Sequence, residues 1–184
     1  MSPSSASRHK SPPTRRETGD FASARAGRAL ITESAAELLR KLQGRNGALM
    51  FHQSGGCCDG SSPMCYPDGD FIVGDRDVLL AILDVGDGVP VWISGSQFET
   101  WKHTQLVIDV VPGRGGGFSL EAPEGMRFLS RGRAFTSDEL TELERHPPVT
   151  GAGYERGERP PDEGTHIVAE AADACPIPAA RIAR

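Results

Sequence analysis

Apolar residues first recur at helical spacing at Ile31, Ala35, Leu38, Leu39 and Leu42, which fall on one stripe of an α-helix. Ser34 with Glu37 offers a capping box at the start of this helix, and Gly44 offers a stop. The pattern then shortens. Apolar runs at Ala48 to His52, Val78 to Leu83, Val89 to Ile93, Leu106 to Val111, Gly117 to Leu120 and Met126 to Leu129 are separated by clusters of Gly, Pro and Asp, and they read as strands. Thr136 to Glu144 predicts a short acidic helix, with Ser137 as a cap and Leu140 and Leu143 as its apolar pair. Together these elements predict an α+β fold that is mainly β, a small sheet domain with one N-terminal packed helix.

The pattern fades at both ends. Residues 1–28 are rich in Ser, Pro and Arg with almost no large apolar side chains, so they are expected to form a disordered basic arm. Residues 29–145 carry the periodic elements and form the expected domain. Residues 146–184 hold six prolines among Gly, Ala and charges, a composition that favours a solvated, disordered tail.

At 184 residues the chain fits one ordinary domain with tails. No run approaches the roughly 20 apolar residues of a membrane-spanning helix, and the polar N-terminus lacks the apolar block of a secretory signal. A cytoplasmic location without membrane contact is therefore expected. The net charge is −5 and the basic residues are scattered, which argues against general nucleic-acid binding.

Candidate chemistry concentrates in one loop. Of the four cysteines, Cys57, Cys58 and Cys65 crowd together just after His52, while Cys175 stands far away. That distribution is no disulfide framework. Thiolates with an imidazole suit zinc, iron, copper or an iron–sulfur cluster, and the expected ligand set is Cys57, Cys58, Cys65, His52 and His103. The spacing lacks a Cys-x-x-Cys pair, and adjacent cysteines in an extended chain point opposite ways, so Cys57 and Cys58 could share an ion only through a turn. A metal-free alternative has Cys58 and Cys65 as the catalytic thiols of a redox enzyme or sensor, with His52 or His103 as base. A third reading is a noncatalytic interaction module anchored on Trp92, Phe98 and Trp101. Gly113 to Gly117 lacks the Lys-Ser or Lys-Thr of a phosphate loop and reads as a tight connection, with Arg114 as a possible anion contact. The aspartates from Asp59 to Asp77 read as turn residues, not as a calcium loop.

Three strings carry a resemblance: His52 to Cys65, Trp101-Lys102-His103-Thr104-Gln105, and Val111 to Glu121. They resemble the DUF779 family from about Leu30 to Glu139. The resemblance implies an accessory role beside an aldehyde or alcohol dehydrogenase, and implies no mechanism. The order of helix, strand, Gly-Cys loop, strands and Gly-Phe turn is also similar to the HesB-like A-type iron–sulfur carriers, although their C-terminal Cys-x-Cys pair is absent. The function expected from all of this is an accessory protein that binds a metal or iron–sulfur species through its cysteine-rich loop.

Overall fold

The computed structural model describes residues 27–53, 62–114, 117–161, 166–168 and 175–176. In chain order these form β1 (Ala29–Thr32), α1 (Glu33–Asn46), β2 (Leu49–Gln53), β3 (Met64–Pro67), β4 (Val78–Leu83), β5 (Val89–Ile93), α2 (Gly95–Trp101) and β6 (Thr104–Pro112). After a 3-10 turn at Ala122–Glu124 come β7 (Met126–Ala134), α3 (Ser137–Arg145), β8 (Val149–Thr150), α4 (Gly151–Glu155), β9 (Ile167–Val168) and β10 (Cys175–Pro176). The fold is α+β.

The strands make two mixed five-stranded sheets, in the orders β10-β7-β6-β1-β9 and β3-β2-β5-β4-β8. Their inner faces meet in one core that also takes Ala35, Ala36, Leu39 and Leu42 from α1. Phe51 of one sheet meets Phe128 of the other edge-to-face at 4.9 Å, a favourable aromatic geometry. Beside them the Ser130 hydroxyl donates to the Gln53 side-chain oxygen Oε1 across the same gap at 2.8 Å.

Several boundaries differ from the sequence pattern for identifiable reasons. Ala29–Thr32 is wholly buried and pairs in parallel with β6, so Ile31 is a strand residue and not the first turn of the helix. Thr32, not Ser34, caps α1 by accepting from the Ala35 amide. The helix runs past Gly44 and stops at Gly47, whose φ of 78° suits a residue without a Cβ. Gly117 to Leu120 is a turn rather than a strand, because its polar groups bind the free edge of β3. The segment Gly95–Trp101, between two strands, is helical.

The expected tail is also partly structured. Val149–Thr150 pairs with β4, Tyr154 of α4 meets Trp92 edge-to-face at 5.4 Å, and Ile167–Val168 pairs with β1. Apolar residues set among prolines supply enough burial to hold these short pieces. At the other end, Gly27 and Arg28 of the expected arm are ordered: the Gly27 carbonyl accepts from Gln105, and Arg28 donates to the Leu143 and His146 carbonyls. Residues 1–26 lie outside the described residues. No helix among the described residues is long and apolar enough to cross a membrane.

Candidate functional site

Strand pleating decides which of the predicted ligands can meet. In the β2–β3 pair Phe51 lies opposite Cys65 and His52 lies opposite Met64. Directly opposed residues share a face and successive residues alternate. Cys65 therefore points into the core with Phe51, whereas His52 points to the outer face with Met64 and Tyr66. His103 is elsewhere, exposed in the turn before β6 of the other sheet. The structure thus separates Cys65, His52 and His103, which sequence reasoning had grouped as ligands. Cys57 and Cys58 lie outside the described residues, in the connection that leaves β2 after Gln53 and returns before β3.

The inner face carries a buried polar cluster. Cys65 is fully buried and unpaired. Its amide donates to the Ser119 hydroxyl oxygen at 2.9 Å, and its carbonyl accepts from the Leu120 amide at 3.1 Å. The Ser119 hydroxyl in turn donates to the Glu121 carboxylate. Glu121 is 1% exposed. Burial raises its carboxyl above the usual range, with Ser119 and the backbone groups of Glu121 and Phe128 pulling it back. Burial also pushes the Cys65 thiol far upward, and the nearby Glu121 charge adds to the effect. Burial thus favours the protonated form of both groups, and an ionised Glu121 makes the ionisation of Cys65 harder still. Gln53, fully buried on the same face, has no hydrogen-bond partner for its Nε2 among the described residues.

The outer face holds a different pair. His52 Nε2 lies 3.1 Å from Asp77 Oδ2, which also accepts from the Gly74 amide at 2.8 Å. Phe71 lies over the imidazole at 4.3 Å and stacks on Tyr66 at 5.1 Å. Burial lowers the His52 pKa and outweighs the hydrogen bond and charge of Asp77, which raise it. A base depressed in the folded state stabilises it above its unfolded pKa of 6.5, and that contribution is lost as pH falls through the folded value. Urea unfolding of wild-type protein should therefore show a midpoint that drops from pH 7 towards pH 5. His52→Gln should start lower and vary less over that range; an equally steep variant would assign the slope to other groups.

Trp92 and Phe98, two of the three proposed interaction anchors, are buried, and Trp101 is partly buried against the core. They hold the domain together and do not form an exposed patch. Arg114 is exposed beside the Gly-rich turn.

Sequence reasoning missed Ser119, Glu121 and Gln53, and it took Asp77 for a turn residue. The available signal was Glu121 itself, a carboxylate following the apolar Phe118 and Leu120. Among the described residues no three His, Cys, Asp or Glu side chains gather as a metal cluster.

Compared with known families, residues 38–134 match DUF779, a domain of unknown function. The chain belongs to the DUF779 family. The DUF779 match is narrower at both ends than the expected span of about Leu30 to Glu139, and it omits β1 and β8 although both pair with strands inside it. No curated protein and no solved structure matches this DUF779 chain, so the likeness to A-type carriers gains no support from them. The match does include His52, Cys65, Asp77, Ser119 and Glu121.

Proposed function

We propose that this DUF779 chain binds a metal ion, zinc, iron or copper, or an iron–sulfur species at the base of its cysteine-rich loop, and serves an aldehyde or alcohol dehydrogenase as an accessory. The observation that carries the metal reading is the shared burial of the Cys65 thiol and the Glu121 carboxyl. Two buried acidic groups that each resist ionisation become stable as anions once a cation replaces their protons. Their sulfur and oxygen donors suit zinc or iron(II) better than copper(I), which prefers softer sets. Cys57 and Cys58 would supply the remaining thiolates. His52, held by Asp77 on the opposite face, and His103, exposed in the turn before β6, fall out of the ligand set. The dehydrogenase partner rests on the family resemblance alone.

The raised thiol pKa weighs against Cys65 as the attacking thiol of a redox enzyme, because the thiolate is the nucleophile. Metal binding makes a different demand, since the cation itself displaces the proton.

The test is the zinc, iron and copper content of anaerobically purified protein. Near-stoichiometric metal is expected in the wild type, little in a Cys57, Cys58 and Cys65 triple-serine variant, and reduced amounts in Cys65→Ser and Glu121→Gln. Uptake by the stripped protein should rise with pH as protons are displaced. Circular dichroism would establish that the variants are folded. Folded wild-type protein that neither carries nor takes up metal would overturn the reading.

A further inference from the structure

Far from the cysteine loop in sequence, α3 and the segment that follows it enclose a cleft of about 550 Å³ against β4 and β8. Its volume lies within the usual range of small-molecule sites, roughly 300–1,000 Å³. Leu79, Leu80, Leu143 and Val149 supply apolar walls, and prolines from residues 147–148 and 160–161 close the sides. Prolines lose little freedom when a ligand binds, so these walls are preformed.

Among the described lining residues, carboxylates outnumber guanidinium and ammonium groups. Asp138, Glu139 and Glu142 line the cleft along α3, and Arg28 is the one arginine or lysine among its described lining residues. The Arg28 guanidinium donates to the Leu143 carbonyl at 3.1 Å and the His146 carbonyl at 3.4 Å. These carbonyls belong to the C-terminal end of α3, the negative pole of the helix. A cationic group of the chain itself is thus already seated at one side of the cleft. Glu139 is engaged by Arg133, and Glu142 by Arg145 and, at 3.8 Å, by His146 of the cleft wall, while the Asp138 carboxylate has no partner among the described residues.

We propose that this cleft binds a small organic cation, with its apolar body against Leu79, Leu80, Leu143 and Val149 and its charged head towards Asp138 and Glu142. Apolar walls of this size reward a hydrocarbon or aromatic body, and a carboxylate excess rewards an ammonium or guanidinium head over a carboxylate head. The inference is independent of the metal reading, because none of its residues belongs to the cluster around Cys65.

The test uses three probes with one body: 4-phenylbutylammonium, 4-phenylbutanol and 4-phenylbutanoate. Affinity is read from amide chemical shifts of the full chain. The amine should bind about tenfold more tightly than the carboxylate, a difference of about 1.4 kcal/mol, with the alcohol between them. The shifts should centre on Leu79, Leu80 and Leu143. A double variant, Asp138→Asn with Glu142→Gln, should reduce amine binding to the alcohol's level and leave the alcohol unchanged. Equal affinities, preference for the carboxylate, shifts centred elsewhere, or no binding of the amine at millimolar concentration would each overturn the proposal.

Discussion

A chain ended at His146 is expected to lose its stable fold, although composition alone marks the remainder as a dispensable tail. The truncation removes Val149 and Val168, which are 8% and 5% exposed, and the Tyr154 ring that packs on Trp92. It also leaves β4 without β8 and β1 without β9. Burying one large apolar side chain contributes about 1.5–3 kcal/mol, so three such losses amount to about 5 kcal/mol or more. That matches the lower end of domain stabilities, about 5–15 kcal/mol. The check is urea unfolding followed by circular dichroism, comparing the truncated and full chains. An unchanged midpoint would mean that the short C-terminal pieces lie on the domain without supporting it.

The second large effect is expected from Phe128→Ala. Phe128 is fully buried and meets Phe51 across the two sheets, and Phe51 lies opposite Cys65 in the β2–β3 pair. Truncating a buried phenylalanine costs about 3–5 kcal/mol through lost transfer energy and the cavity left behind. Phe118→Ala serves as the contrast, because Phe118 is 87% exposed; its midpoint should stay within about 0.5 kcal/mol of wild type. Similar losses in both variants would mean that Phe118 has a buried role or that Phe128 does not join the sheets.

The central strands and the two principal helices were legible because hydrophobic spacing reports burial directly. Val78 to Leu83 and Val89 to Ile93 are apolar runs that became β4 and β5 with those bounds. The helix expected from Thr136 to Glu144 forms, although Thr136 and not Ser137 caps it, in a reciprocal capping box with Glu139. Strand β1 was not legible, since four buried residues running straight into a helix share its periodicity. Nor was the turn at Ser119, whose structure depends on bonds to a strand more than fifty residues away in sequence.

The candidate site divides along similar lines. Its thiol was visible as a residue type, and the alternation that turns His52 away from Cys65 follows from strand geometry once β2 and β3 are known to pair. What sequence could not supply was the pairing itself, because Met64 to Pro67 looked like part of a loop. Glu121 reaches Cys65 only through the chain's return after β6, a long-range consequence of sheet order that no local pattern encodes.

Strand β1 also sets the timing of folding. It is made before every other described element, yet it lies between β6 and β9 and pairs in parallel with both. One of these partners begins only at Thr104 and the other at Ile167. During synthesis Ala29–Thr32 must wait, apolar and unpaired, while the strands of the second sheet emerge. Contacts that close such long loops form slowly and leave strand edges open to other chains in the interval. Refolding yield should therefore be governed by protein concentration more than by final stability, with aggregation seeded at a strand that is synthesised early and secured late.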